Sequence, residues 1–183
     1  YSVSAAGDVN GDGLDDVIIG VDGADPNGTN SGSSYVVFGT ESTNAIELST
    51  LEAEGGGGFV INGTEASDLS GYSVSAAGDV NGDGLDDVII GAYQADPNNT
   101  NAGASYVVYG TTATTAIELS TLEAEGGGGF VINGVDSADY SGESVSAAGD
   151  VDGDGIDDLI IGAASADPSS NSNAGSSYVV FGQ

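Results

Sequence analysis

Apolar residues along this chain fall in runs of three to five, such as VII, YVV and FVI, separated by stretches rich in Gly, Asn, Asp, Ser and Pro. Runs this short, rich in Val, Ile, Tyr and Phe and bounded by turn formers, predict β-strands and not amphipathic helices. In the middle of the chain they predict four strands, at Ser73–Ala77, Asp87–Gly91, Ser105–Tyr109 and Phe130–Asn133. Helical character is confined to Ile46–Glu54, where Ser49 and Glu52 stand at capping-box spacing; four glycines follow at once, so a single turn is predicted.

The pattern is periodic. Tyr1–Gly20 (YSVSAAGDVNGDGLDDVIIG) recurs letter for letter at Tyr72–Gly91 and returns at Glu143–Gly162 as ESVSAAGDVDGDGIDDLIIG, a fixed period of 71 residues. Ala45–Gly63 is likewise repeated without change as Ala116–Gly134. Such periods mark stacked or radially arranged units, none of which buries its apolar face alone. Continuous runs such as VII and YVV imply strands covered on both faces, as when small antiparallel sheets stack around an axis. The predicted fold is therefore all-β, with about three four-stranded β-propeller blades: residues 1–71, 72–142, and 143–183, the last ending before its fourth strand. Tyr35, Tyr106 and Tyr178, in the YVV strands, are expected in the core, whereas Tyr93 lies in a variable loop and could face a partner.

Composition narrows the chemistry. The 183 residues contain no Lys, Arg or His against 29 Asp and Glu, a formal net charge of −29. Without side-chain cations a polyanion is repelled, so nucleic acid is an unfavourable partner. Catalysis by His, Lys or Cys is excluded by inventory, and an acid–base mechanism would rest on carboxylates, Tyr and bound metal alone. No enzymatic activity is expected. No apolar run approaches the roughly 20 residues of a membrane-spanning helix.

Each period carries one acidic loop of pattern D-x-[ND]-x-D-G-x-x-D. Its members are Asp8, Asn10, Asp12 and Asp16; Asp79, Asn81, Asp83 and Asp87; and Asp150, Asp152, Asp154 and Asp158. Oxygens at alternate positions, followed by a Gly that permits a sharp turn, let a loop curl around a hard cation that takes six to eight oxygens at roughly 2.3–2.6 Å. At the seventh position Leu14, Leu85 and Ile156 would contribute backbone carbonyls. Calcium fits this donor set best, at about one ion per unit and three in all; magnesium, which usually keeps several waters, competes, and zinc and iron lack their usual N and S ligands. The competing reading is of Asn-Gly and Asp-Gly hairpin turns with solvated carboxylates. An EF-hand is disfavoured because its twelfth position falls on Ile19, Ile90 and Ile161. The remaining acids, Glu47, Glu52 and Glu54 with Glu118, Glu123 and Glu125, are expected to form a solvated surface.

Segments such as SGYSVSAAGDVNGDGLDDVIIGAY, then SYVVYG, then GFVING resemble the FG-GAP repeat of integrin α-chain propellers, especially the bacterial extracellular type, over essentially the whole chain. The resemblance departs at the signature itself: Ser70 and Ser141 replace its Phe, and Gly20-Val21-Asp22, Gly91-Ala92-Tyr93 and Gly162-Ala163-Ala164 lack its proline. It implies one blade per repeat, rings usually of seven blades, and calcium in the loop between the first two strands. It also implies a secreted or cell-surface module for adhesion, for protein or glycan binding, or for building a surface assembly. Its partners would be other copies of the chain or further repeats. The alternative is a non-catalytic accessory propeller of a secreted hydrolase.

Overall fold

The computed structural model describes residues 2–52, 57–123, 128–168 and 173–183. Twelve strands form three sheets among the described residues. Strands β1 (Ser2–Gly7), β2 (Asp16–Val21), β3 (Ser33–Val37) and β4 (Gly58–Asn62) form the first as an antiparallel meander. The second holds β5 (Ser73–Gly78), β6 (Asp87–Ala92), β7 (Ala104–Val108) and β9 (Gly129–Asn133), and the third β10 (Ser141–Gly149), β11 (Asp158–Ala163) and β12 (Ser176–Val180). The expected strands of the central unit are thus present, with ends displaced by at most one residue.

Two elements refine the expectation. The helical turn forms twice, as α1 (Leu48–Glu52) and α2 (Leu119–Glu123). Just before α2, β8 (Ile117–Glu118) pairs in parallel with the edge of β4, Ile61 opposite Ile117 and Asn62 opposite Glu118, so a segment of the second unit completes the rim of the first sheet.

The sheets stack face to face. One face of each looks toward the preceding sheet and the other toward the following one, because side chains alternate along a strand. Ile18, Val36 and Phe59 from the first sheet meet Val88, Ile90 and Tyr106 from the second, with Leu119 and Leu122 of α2 closing the outer end. Ile89 and Val107 from the second meet Leu159 and Ile161 from the third. Only the middle sheet is covered on both sides: β6 and β7 are buried throughout, while β2 alternates and β12 is largely open. Tyr35 and Tyr106 are core residues as expected. Tyr178 is not: it is 46% exposed, because no counterpart of α2 lies over the third sheet among the described residues.

The same irregularity opens every acidic loop. The β1–β2 register slips between Ala5 and Gly7, and the equivalent slips fall at Ala76/Gly78 and Ala147/Gly149. Gly7, Gly78 and Gly149 have φ of +74°, +75° and +68°, a left-handed conformation that favours glycine. The bulge turns the chain out of the sheet at the residue preceding Asp8, Asp79 or Asp150.

Candidate metal centre

The three loops fold alike because their own side chains satisfy their backbone. Asp8 Oδ1 accepts the N–H groups of Gly11 (2.8 Å) and Asp12 (3.1 Å), and its Oδ2 accepts that of Gly13 (2.9 Å). Asn10 Oδ1 accepts from Asp12 N–H (2.8 Å), and Asp12 Oδ1 from Leu14 N–H (2.9 Å). Asp79, Asn81 and Asp83 make the equivalent bonds to the N–H groups of Asp83, Gly84 and Leu85, with Gly84 N–H on Asp79 Oδ2 (2.9 Å) and Leu85 N–H on Asp83 Oδ1 (2.9 Å). Asp150, Asp152 and Asp154 repeat the first loop's bonds, with Gly153 N–H 2.6 Å from Asp150 Oδ1. These short-range bonds are the ones Asp and Asn characteristically make in turns.

The last aspartate of each loop differs from the others because it is buried. Asp16 Oδ2 accepts Val9 N–H (2.9 Å) from the loop, and Oδ1 accepts Gly39 N–H (2.7 Å) just beyond β3. Asp87 holds Val80 and Gly110 in the same way, and Asp158 holds Val151 and Gly182. One carboxylate thus ties the loop to the end of the third strand. Burial raises the Asp16 carboxyl above its usual range despite those two N–H donors, with Asp12 and Asp8 adding repulsion. Asp87 is pushed up to about 7, first by burial and then by Asp83 and Asp79.

In the third loop, carboxylate oxygens of Asp150, Asp152 and Asp158 all lie within 4.8 Å of one another. Oxygens that close can touch one ion together at calcium–oxygen distances of about 2.3–2.6 Å, so this donor set fits a hard cation. Asp154 stands outside that set. In the first two loops Asn10 and Asn81 replace the second carboxylate, and no three carboxylates converge so closely among the described residues. Leu14, Leu85 and Ile156 occupy the seventh position, their N–H groups donated to the fifth-position aspartates.

Sequence reasoning passed over the eighth loop position. Asp86 Oδ2 accepts Asp8 N–H (2.8 Å) across the junction between the first two sheets, and Asp86 N–H donates back to the Asp8 carbonyl (3.2 Å). Asp157 joins Asp79 identically at 3.2 Å and 3.3 Å. A Cβ on Gly7 or Gly78 would lie 2.2 or 2.1 Å from the clasping carboxylate oxygen, so glycine is required there by contact as well as by φ. The signal was present in the paired aspartates Asp15-Asp16, Asp86-Asp87 and Asp157-Asp158.

Two further expectations change. Glu118 is not freely solvated: its two carboxylate oxygens accept from Asn62 (2.7 Å) and Asn27 (2.8 Å) of the first unit. Glu47 is exposed, whereas the Glu52 and Glu123 side chains, with Glu54 and Glu125, lie outside the described residues. Tyr93 packs within the chain, its ring centroid 4.4 Å from Tyr72 and 5.8 Å from Tyr140. No helix among the described residues is long and apolar enough to cross a membrane.

Face-to-face antiparallel sheets, each opening its first hairpin with an acidic loop, define a tandem array of β-propeller blades. Residues 1–37, 70–108 and 141–180 match the FG-GAP repeat, and the chain belongs to that family. It is 34% identical over 166 residues to Integrin alpha pat-2 of Caenorhabditis elegans and 33% identical over 172 residues to Integrin alpha pat-2 of Caenorhabditis briggsae. Each alignment takes in 87% of this chain, which spans only 13% of the relative's length.

Proposed function

We propose that the chain is a calcium-stabilised extracellular repeat module that serves adhesion, protein or glycan binding, or the building of a surface assembly, and that it is not a catalyst. Each loop holds one Ca²⁺, on the side chains of Asp8, Asn10, Asp12 and Asp16, of Asp79, Asn81, Asp83 and Asp87, and of Asp150, Asp152, Asp154 and Asp158. The carbonyls of Leu14, Leu85 and Ile156 complete the sets. Other copies of the chain, or further repeats, flank it.

The observation that carries this reading is the convergence of Asp150, Asp152 and Asp158 in a chain with no side-chain cation to neutralise them. Membership of the FG-GAP family and likeness to integrin α chains support the binding role. The hairpin-turn reading accounts for the Asn-Gly and Asp-Gly steps but not for a third carboxylate, Asp87, buried close enough to Asp79 and Asp83 for their charges to oppose its ionisation. A bound divalent ion stabilises the folded chain by mass action, since the site does not exist in the unfolded one.

Thermal unfolding at matched ionic strength, in Ca²⁺, in Mg²⁺ and in chelator, tests the proposal together with equilibrium dialysis. A rise specific to Ca²⁺ with three ions bound per chain is expected. Equal stabilisation by both ions would reduce the effect to screening of a strongly anionic chain and return the loops to simple turns.

A further inference from the structure

Aromatic contacts in this chain are of two kinds. Phe38 on Phe59 (5.9 Å between ring centroids) and Tyr109 on Phe130 (6.2 Å) are one contact made twice, 71 residues apart, and so belong to the repeated architecture. Tyr93, between Tyr72 at 4.4 Å and Tyr140 at 5.8 Å, belongs to no repeat. One period away from Tyr93 stand Asp22 and Ala164, and one period before Tyr140 stands Leu69. Among the described residues three phenols therefore gather once, around the second blade. Tyr72 lies just before β5 and Tyr93 just after β6, where Ser73 pairs with Gly91, so their rings meet across the open end of the hairpin whose tip is the second acidic loop. Tyr140 joins them from the segment leading to β10, its N–H bonded to the Asn101 carbonyl (3.2 Å).

The inventory of the chain gives that cluster its chemical weight. The sequence contains no Cys, Met, Trp or His, so tyrosine is the one side chain in it that a mild oxidant readily attacks. Of its 8 tyrosines, Tyr35 and Tyr106 are buried in the core, whereas Tyr72 is 39% exposed and Tyr93 and Tyr140 are half-buried. An oxidant that reaches Tyr72 finds a second phenol already in contact, because rings whose centroids lie 4.4 Å apart at a tilt of 49° touch along their edges. Holding two reacting groups together in this way replaces a chance encounter by a step within one molecule.

The geometry points to an oxidative cross-linking site at which Tyr72 and Tyr93 are joined as dityrosine, with hydrogen peroxide and a peroxidase as the oxidant. Each phenol gives up one electron and one proton. The two ring radicals join through carbons ortho to their hydroxyls, and the hydrogens displaced from those carbons restore the O–H groups. One C–C bond forms, two ortho C–H bonds break, and the two hydrogens lost in all reduce one peroxide to two waters. The link closes the β5–β6 hairpin at the end opposite its acidic loop, and so does for a chain without cysteine what a disulfide does in other secreted domains. It rests on the extracellular reading for the natural source of oxidant only, and the experiment supplies the oxidant directly.

The test is treatment of the full chain at high dilution with hydrogen peroxide and a peroxidase, followed by dityrosine fluorescence, intact mass and mapping with a protease that cleaves after Asp and Glu. The peptides bearing Tyr72 and Tyr93 should be recovered joined and lighter by two hydrogens. Tyr93→Phe should abolish that species and Tyr140→Phe should leave it, with circular dichroism confirming that both variants fold. Photo-oxidation by a ruthenium complex and persulfate, which works in urea, should give the link in the unfolded chain at roughly a tenth of the folded yield or less. In chelator the linked chain should melt about 5 °C or more above the unlinked one, because the closed loop restricts the unfolded chain. Recovery of Tyr72 and Tyr93 unlinked while other tyrosines are oxidised, or a yield unchanged by unfolding, overturns the inference and leaves the repeat-module reading standing.

Discussion

Replacing Asp87 by Asn should change sign with the metal content of the solution. Asp87 is fully buried and its carboxyl is pushed up from 3.8 to about 7 in the folded chain, chiefly by desolvation. A carboxyl that holds its proton more tightly in the fold than out of it makes its full contribution to stability below about pH 4. That contribution is lost as pH rises toward 7, and at pH 8 without metal the ionised group costs at most about 4 kcal/mol. Asn removes this cost. It also removes one of two acceptors, because Val80 N–H and Gly110 N–H occupy separate oxygens of Asp87, and a buried N–H left unpaired costs about 1–3 kcal/mol. In chelator at pH 8 the two effects nearly cancel, leaving D87N equal to or somewhat more stable than wild type. In saturating Ca²⁺ the wild-type carboxylate is neutralised by the ion, and D87N should be less stable by about 3 kcal/mol or more, having lost a ligand as well as an acceptor. Urea unfolding of both chains, in Ca²⁺ and in chelator, at pH 5 and pH 8 and matched ionic strength, measures the four differences. A D87N penalty of the same size in all four conditions would refute the reasoning and leave Asp87 as a purely structural tie.

Two further outcomes follow from the blade junctions. Asp86→Ala should destabilise the chain by about 1.5–3 kcal/mol in urea unfolding, through loss of the bond to Asp8 N–H, whereas Asp15→Ala at the equivalent exposed position should leave the single chain's stability unchanged. Gly78→Ala should destabilise markedly, since its Cβ would stand 2.1 Å from Asp157 Oδ2, while Gly149→Ala, with open space around it, should cost only the left-handed backbone penalty of about 1–2 kcal/mol. Equal melting-temperature losses for the two glycine variants would show that conformation, and not the junction contact, sets the requirement.

Most of the architecture was legible because it is local and repeated. Val-Ile-Ile and Tyr-Val-Val runs between Gly and Asp punctuation place β6 and β7 to within a residue, and the acidic loop is visible as spacing alone. What stayed hidden belongs to contacts between units. The β8 pairing of Ile117 and Glu118 with β4 is two residues long and set by where α2 packs, not by any strand propensity of its own. Glu118 looked like one more surface acid, since nothing in the chain's order places Asn27 and Asn62 around it. Tyr178 has the same neighbours in sequence as Tyr106 yet is exposed, because burial in a stacked array depends on what lies over each sheet. Asp86 and Asp157 were readable as half of an Asp-Asp pair but not as clasps, since their partners are 78 residues away.

The clasp between neighbouring blades has a consequence for how such chains change over generations. Its carboxylate and its glycine both belong to the same 71-residue period, one serving the joint behind and the other the joint ahead. Gene duplication or loss of a whole period therefore creates or removes complete joints without requiring a compensating mutation anywhere else. Deletion of part of a period would strand a half-joint. Whole units can thus be added or removed with every joint intact, whereas a substitution within a unit must fit both of its neighbours.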